Sequence, residues 1–339
     1  MPFRVVQLLL GNVRRLGLVE EPQLALLEIA SVHALLGQAL NGGTSLGKAI
    51  DGARNGEHLD YDAVYNGRAD WKLLPPIDHP EPTRLIVSGT GLTHLGSAKN
   101  RDAMHERPQD EENLTDSMKI FRWGLERGRP AAGETGVAPE WFYKGTGASL
   151  RGHNEPLNWP AHAEDGGEEA EIAGVYIVDA AGNPVRIGMA QGNEFSDHVF
   201  EKKNYLNLAG SKLRTCSIGP ELVIDPDFSR VPGRARVLRR GADGSEASVW
   251  SKEIATGESE MCHSLANIEH HHFKFDGHRR PGDVHVHFYG ACALSFGEGV
   301  RLQDGDVMEV HFDGFGRPLR NPLRVEKAQQ ALVMVRTLR

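Results

Sequence analysis

Two glutamates one residue apart, Glu169 and Glu171, open the apolar stretch EEAEIAGVYIV, and a third carboxylate, Asp197, follows. Residues i and i+2 of a β-strand point the same way, so this spacing pairs the two glutamates on one face. With a third carboxylate from a neighbouring strand they would form an all-oxygen ligand set, which favours a hard cation, Mg²⁺ or Mn²⁺ rather than Ca²⁺. The alternative interpretation is the solvated face of an ordinary strand.

Histidine offers a second candidate for metal chemistry, since the chain has 16 of them. The run 270–272 does not suit a metal cluster, because consecutive residues on a helix project in different directions. His285 and His287 do share one face of a strand. This pair leaves open a second site, a substrate-facing pair or a hydrogen-bonded surface.

The composition excludes several classes of protein. The 339 residues carry a net charge of −8 without a basic run, which argues against a nucleic-acid partner. The apolar run VVQLLL is too short to span a membrane, and its arginines follow it, unlike those of a secretory signal; we expect a cytoplasmic protein. Three widely spaced cysteines predict neither a disulfide framework nor a zinc site. No nucleophile elbow, phosphate loop or dinucleotide fingerprint is present.

The hydrophobic pattern divides the chain into two parts. Residues 1–80 predict a small N-terminal α+β domain with a hairpin over FRVVQLLL and RRLGLVEE, a helix within 22–40, and a proline-rich linker. From residue 81 to residue 339 short apolar strands alternate with glycine and proline, and helices are expected only over 113–128 and 259–275. The pattern predicts an α+β, β-rich protein with a catalytic domain over 81–339.

Several segments, taken in order, resemble the fumarylacetoacetate hydrolase superfamily, and the resemblance covers most of the chain. They are RLIVSGTGLTH (84–94), PEWFYKG (139–145), GMAQGNEFSDHVF (188–200), SIGPELV (217–223), RPGDVHVHFYGA (280–291) and LQDGDVMEVHFDGFGRPLRNPL (302–323). The resemblance implies a rolled β-sheet catalytic domain, Mg²⁺ or Mn²⁺ held by Glu169, Glu171 and Asp197, a small 2-keto acid as substrate, and a homodimer.

The resemblance also bears on the reaction. Hydrolases of the superfamily activate water with a histidine and a glutamate on the loop after residue 91, where this chain has Ser97 and Asn100; His94 and His105 are possible substitutes. Relatives that dehydrate 2-keto-3-deoxy sugar acids use a glutamate and a lysine, which correspond here to Glu140 and Lys212. The resemblance therefore implies dehydration rather than hydrolysis, with Glu140 and Lys212 as catalytic residues.

The substrate pocket departs from the superfamily at two positions. Glu201 stands where relatives have an arginine for the substrate carboxylate, so Lys202 or Lys203 is expected to take that role, with His94 and Ser97 as further substrate-binding residues. Tyr289 stands near a threonine that contacts substrate in relatives, and is expected to act in the site.

The function implied is a Mg²⁺-dependent dehydratase that converts a pentonate-type 2-keto-3-deoxy acid to a 2-oxoglutarate semialdehyde-type product in pentose catabolism. The alternatives are a hydrolase of acylpyruvates or diketo acids and an inactive sugar-acid-binding protein.

Overall fold

The computed structural model describes residues 3–96, 98, 115–241, 243–328 and 331–338. None of the helices in these ranges is long and apolar enough to cross a membrane. The strands are β1 (Phe3–Leu10), β2 (Val13–Glu20), β3 (Gln23–Leu27), β4 (Arg54–Asp60), β5 (Lys72–Leu74), β6 (Leu85–Gly91), β7 (Glu140–Thr146), β8 (Leu150–Arg151), β9 (Leu157–Trp159), β10 (Ala170–Val178), β11 (Pro184–Asn193), β12 (Cys216–Ile218), β13 (Leu222–Ile224), β14 (Val231–Arg240), β15 (Glu246–Thr256), β16 (Val284–Phe288), β17 (Val307–Phe312) and β18 (Leu319–Val325). The helices are α1 (Val32–Gly42), α2 (Leu46–Gly52), α3 (Tyr61–Tyr65), α4 (Asp116–Arg127), α5 (His198–Lys203), α6 (Leu208–Ser211) and α7 (Leu265–Phe273). The expected α+β, β-rich class is confirmed.

A large sheet forms the centre of the molecule, in the order β4-β3-β2-β1-β13-β11-β10-β16-β6-β7. The expected hairpin is present as β1 and β2, which pair antiparallel. Strand β1 also pairs with β13, where Phe3 lies opposite Ile224, so one sheet runs from the first eighty residues into the remainder of the chain. The division into domains at residue 80 stays a prediction.

Both faces of the large sheet are covered. A second sheet, in the order β15-β14-β17-β18-β9, packs on one face, where Ile172 of β10 joins a core with Val310 of β17. On the other face Ala173 belongs to a core that includes Leu35 of α1. Glu171 has the parity of Ala173 and not of Ile172, which places it on the α1 side of the sheet.

Capping residues correct two of the expected helices. Residues 23–27 form strand β3 because they pair with β2, and helix α1 begins only after Ser31, whose side chain accepts a hydrogen bond from the Ala34 amide. Helix α7 likewise begins after its cap Ser264, later than the expected residue 259. Helix α4 follows the cap Thr115, as predicted for 113–128.

Candidate metal centre

Three glutamates meet where β10 begins and β11 ends. The two strands pair antiparallel, with Glu171 opposite Gly192, and the Glu194 amide donates to the Glu169 carbonyl oxygen at 2.9 Å. Glu169, Glu171 and Glu194 each offer a carboxylate oxygen, and these three atoms lie within 4.8 Å of one another. All three side chains are buried, so the interpretation of Glu169 and Glu171 as a solvated strand face is wrong.

Asp197 does not join this cluster. Its side chain caps helix α5 by accepting from the Phe200 amide at 2.9 Å, accepts from the Glu164 amide at 2.9 Å, and pairs with Arg214 at 3.2 Å. The residue in the cluster is Glu194, three positions earlier, which continues the face of Gly192. The described contacts thus place Glu194 in the cluster and Asp197 outside it, and the predicted role of Asp197 as a metal ligand stays a prediction.

Two buried lysines compensate the charge of the cluster. The Lys212 ammonium donates to Glu169 at 2.7 Å, to the Ser196 hydroxyl at 2.8 Å and to Glu194. The Lys144 ammonium lies 2.7 Å from Glu194 and donates to the carbonyl oxygens of Phe195 and Lys212. Lys212, predicted as catalytic, therefore lies at the cluster, and Lys144 is a contact that the sequence did not reveal.

His198 is a third partner of the cluster, and its Nε2 lies 3.0 Å from Glu169 Oε1. Burial opposes the charged imidazole, but the hydrogen bond and the charge of Glu169 outweigh it and raise the pKa of His198. Burial likewise works to raise the pKa of Glu169, but Lys212 and His198 together hold it well below its usual range.

Glu171 has the least compensated charge of the three glutamates. Burial and the neighbouring carboxylates Glu194 and Glu169 raise its pKa well above the usual range, while the Gly290 amide donates to it at 2.7 Å. A bound divalent cation would supply the charge that favours its ionised form. Since the donors are all carboxylate oxygens, the residues present fit a hard cation such as Mg²⁺ or Mn²⁺.

Strand β7 lines the approach to the cluster. Its buried residues alternate, so Glu140, Phe142 and Lys144 share one face. The Lys212 ammonium lies 4.8 Å from the centre of the Phe142 ring. Glu140 lies at the far end of this row, roughly 13 Å along the strand from Lys144, and accepts a hydrogen bond from the Tyr205 hydroxyl.

The predicted substrate-binding residues have three different outcomes. His94 is buried with its ring nitrogens against the hydroxyls of Thr93 at 2.8 Å and Thr256 at 3.0 Å, and burial lowers its pKa to about 4. Lys202 lies on helix α5 with its side chain exposed. Ser97 lies outside the described residues. The contacts given for His94 and Lys202 therefore do not include the carboxylate cluster.

Tyr289 lies on the opposite side of the sheet from the carboxylates. Its hydroxyl is 2.5 Å from that of Tyr176. Both hydroxyls lie against Gly174, where a Cβ would collide with them, and Gly174 faces away from Glu171. Its ring packs 5.3 Å from Phe228, and burial raises the pKa of its phenol. The structure gives Tyr289 a place in the core, and only the Gly290 amide after it reaches Glu171.

A loop after β16 contacts the start of β10 and His198. Glu168, next to the first metal-site residue, accepts hydrogen bonds from the amide and the hydroxyl of Ser295, each at 2.6 Å. The Phe296 ring then packs 5.2 Å from His198. Glu168 therefore ties the loop 290–296 to the start of β10, a role the sequence pattern did not reveal because the two segments are 127 residues apart.

Comparisons with known proteins identify the fold. No family model and no curated protein matches the sequence. Among solved structures, a hexagonal crystal form of 2-keto-3-deoxyarabinonate dehydratase matches with a TM-score of 0.69 at 18% identity, over 96% of this chain and all of the other. 2-Keto-3-deoxy-D-arabinonate dehydratase complexed with magnesium and 2,5-dioxopentanoate matches with a TM-score of 0.68 at 17% identity, over the same shares.

A third similar structure is 2-hydroxyhepta-2,4-diene-1,7-dioate isomerase from Mycobacterium marinum, with a TM-score of 0.57 at 18% identity over 96% of this chain and all of the other. These likenesses show that the chain has the fold of these enzymes, and the resemblance to the fumarylacetoacetate hydrolase superfamily rests on the sequence segments. These similar structures include a dehydratase and an isomerase, so the shared fold does not determine the reaction.

Proposed function

We propose that the protein is a divalent-metal-dependent hydro-lyase that removes water from a 2-keto-3-deoxy sugar acid of the pentonate type. The observation that carries the proposal is the buried cluster of Glu169, Glu171 and Glu194, whose ligand oxygens lie within 4.8 Å of one another. Support comes from a solved structure of the same fold that is complexed with magnesium and 2,5-dioxopentanoate. The product here would be a semialdehyde of the 2-oxoglutarate type.

The cluster would hold Mg²⁺ through Glu169, Glu171 and Glu194. When bound, the cation withdraws electron density from the 2-oxo group of the substrate and makes a C3 proton acidic. Lys144 holds Glu194, and Lys212 and His198 hold Glu169, so each of these carboxylates is oriented before substrate binds.

Glu140 and Lys212 are the proposed acid–base pair. Glu140 and Phe142 share one face of β7, and the Lys212 ammonium lies 4.8 Å from the centre of the Phe142 ring. Glu140 takes the C3 proton, and Lys212 gives a proton to the C4 hydroxyl, which leaves as water. The C3–C4 double bond that forms then tautomerises to the semialdehyde.

The hydrolase alternative requires a residue that activates water. His94 is the candidate among the described residues, and both of its ring nitrogens lie within hydrogen-bond distance of threonine hydroxyls. The dehydratase proposal requires no such residue. A sugar-acid-binding protein without catalysis would keep the same cluster and pocket.

Incubation of the purified protein with Mg²⁺ and a panel of 2-keto-3-deoxy acids and acylpyruvates separates the three functions. We expect release of a semialdehyde from a 2-keto-3-deoxy acid, and loss of that activity when a chelator removes the metal. Pyruvate plus an acid would instead indicate a hydrolase. Binding without turnover would indicate a binding protein.

Glu140→Gln tests the assigned base. The amide keeps the volume of the side chain but cannot take a proton, so turnover should fall by at least about a hundredfold while Mg²⁺ binding persists. In deuterated water the wild type should exchange a C3 proton of a bound keto acid and the variant should not. Glu134→Gln, exposed in the loop before β7, is the matched control. Exchange that persists in Glu140→Gln and disappears in His94→Ala would assign the base to His94.

A further inference from the structure

A cavity of about 660 Å³ lies between helix α7 and the hairpin of β10 and β11. We call it the α7 cavity, and its volume is in the range of small-molecule sites, roughly 300–1,000 Å³. Side chains of both strands, of α7 and of the turn that follows α7 line it, among them Tyr176, Arg186, Glu269, Phe273, Lys274 and Arg279. Within the hairpin, Tyr176 lies opposite Arg186.

The α7 cavity is separate from the candidate metal centre. Tyr176 lies five residues after Glu171 on β10, a distance of roughly 16 Å along the strand. Because side chains alternate along a strand, these two residues also point to opposite faces of the large sheet. A ligand in the α7 cavity would therefore bind independently of the carboxylate cluster.

The inner wall of the cavity is held in place by hydrogen bonds and ring contacts. Tyr176 is buried, and its hydroxyl donates to Glu269 Oε1 at 3.0 Å. The same carboxylate oxygen accepts from the Arg186 guanidinium at 2.5 Å. The Phe273 ring packs edge-on against Tyr176, with 5.1 Å between the ring centres. Arg186 and the aromatic wall are thus oriented before a ligand arrives, which lowers the entropic cost of binding.

The α7 cavity carries an excess of positive charge, although the whole chain has a net charge of −8. Arg186, Lys274 and Arg279 line it, and Glu269 is the one carboxylate among its described lining residues. The Lys274 ammonium donates to His271 Nδ1 at 3.0 Å and forms no ion pair with a described carboxylate. Arg279 pairs with Asp276, whose side chain is 96% exposed, and so exposed a pair stabilises little. Both cations are therefore available to an anion.

We propose that the α7 cavity binds a small organic anion. Its carboxylate or phosphate group contacts the cations Lys274 and Arg279, and its apolar body lies against the Phe273 ring. A planar guanidinium matches the oxygens of either group with two parallel hydrogen bonds. The apolar wall favours an anion with a carbon body over a bare inorganic ion. The inference does not depend on the proposed reaction, because the carboxylate cluster contributes nothing to this cavity.

Titration calorimetry of the full chain with 3-phenylpropionate and with phenyl phosphate tests the ligand class. We expect saturable binding of one equivalent, and the tighter of the two probes tells whether the cavity prefers a carboxylate or a phosphate. The neutral isostere 3-phenylpropionamide should bind at least about tenfold more weakly, because it lacks the charge that the cations recognise. No binding of either anion, or equal binding of the amide, would overturn the proposal.

Charge reversal at the cavity tests where the anion binds. Lys274→Glu/Arg279→Glu, at two exposed positions, should raise the dissociation constant of the preferred probe by at least about tenfold. Lys48→Glu/Arg68→Glu reverses one lysine and one arginine that are exposed elsewhere, and should bind the probe as the wild type does. Equal loss in the two variants would show that only the overall charge matters, which contradicts the proposal.

Two further variants separate the cavity from the metal centre. Ala266→Trp fills the cavity from an exposed position of α7 without a change of charge, so it tests the site even if the charge-reversal variant fails to fold. It should also weaken binding of the probe by at least about tenfold, since the ring takes the place of the ligand body. Glu171→Gln should bind the probe as the wild type does. Binding that is lost in Glu171→Gln and kept in Ala266→Trp would place the anion at the carboxylate cluster and reject the α7 cavity.

Discussion

At the scale of single residues, the candidate site depends on which of two neighbouring carboxylates joins Glu169 and Glu171. Glu194 is buried beside Glu169 and Glu171 and contacts both lysines, whereas Asp197 caps helix α5 and pairs with Arg214. The roles of the two residues can therefore be separated by substitution. Glu194 contributes a carboxylate to the cluster, whereas Asp197 caps helix α5 and forms an ion pair with Arg214.

Glu194→Gln and Asp197→Asn should fail in different ways. Removing one ligand charge at Glu194 should weaken Mg²⁺ binding by at least about a hundredfold in calorimetry, since even outer contacts of metal sites contribute ten- to a hundredfold. Asp197→Asn should bind Mg²⁺ and lower the free energy of unfolding by about 1–3 kcal/mol, because Arg214 loses its charged partner while asparagine can still cap helix α5. Full Mg²⁺ affinity in Glu194→Gln would refute the three-glutamate site.

At the scale of elements, β16 and α7 bury a group of histidines on the face of the sheet away from the carboxylates. His272 and His285 ring nitrogens lie 3.0 Å apart, and His287 contacts the hydroxyls of Ser88 and Thr90 at 2.8 Å and 2.7 Å. The sequence left open a second site, a substrate-facing pair or a hydrogen-bonded surface for His285 and His287. The structure favours hydrogen-bonded residues, but each bonds to other side chains and both lie in the core rather than on the surface. The described residues place no three metal-ligating atoms of this group within reach of one ion.

This histidine group makes stability depend on pH. Burial, with the neighbouring histidines, lowers the pKa of His285 and of His287 to about 3. In the unfolded chain a histidine has a pKa of about 6.5, so between about pH 3 and pH 6.5 the unfolded state binds more protons than the folded state. The contribution of these histidines to the free energy of unfolding is therefore fully present above about pH 6.5 and is lost as the pH falls towards 3. His287→Asn should reduce the slope of unfolding free energy against pH by up to about 1.4 kcal/mol per pH unit, measured by urea denaturation at several pH values. His270→Asn, at an exposed position of α7, is the control, and an unchanged slope in His287→Asn would contradict the assignment.

At the scale of the whole molecule, Glu221 joins the first eighty residues to the rest of the chain. Its buried carboxylate accepts from the Tyr61 hydroxyl at 2.8 Å, from Arg4 at 3.1 Å and from the Arg317 amide at 3.1 Å. The Arg317 guanidinium lies 3.8 Å from the centre of the Tyr61 ring. Three distant parts of the sequence therefore share one buried charge.

Glu221→Ala should lower the free energy of unfolding by about 3–5 kcal/mol, since it leaves buried donors without an acceptor. Urea denaturation measures this change. Arg54→Ala removes an exposed pair with Glu20 and should cost no more than about 1 kcal/mol. Equal losses in the two variants would show that Glu221 does not join the two parts.

The sequence by itself determined the paired glutamates on one strand, the β-rich class and the family resemblance. Each of these depends on local alternation or on short segments in order, which the chain carries without its partners. Glu140 and Lys212 also came from that resemblance, and their catalytic roles stay predictions; Glu140 lies on the face of β7 that carries Phe142, and the Lys212 ammonium lies 4.8 Å from that ring.

The tertiary structure alone decided which carboxylate completes the cluster and which cations hold it. Glu194 was present in the segment NEFSD, but its side depends on the pairing of β11 with β10, which sets Gly192 opposite Glu171. Lys144 and Glu168 meet partners 50 and 127 residues away, and Tyr289 faces the opposite core because it has the parity of His287, which lies opposite Gly174 on the face away from Glu171. Such positions follow from strand register, which a single sequence does not encode locally.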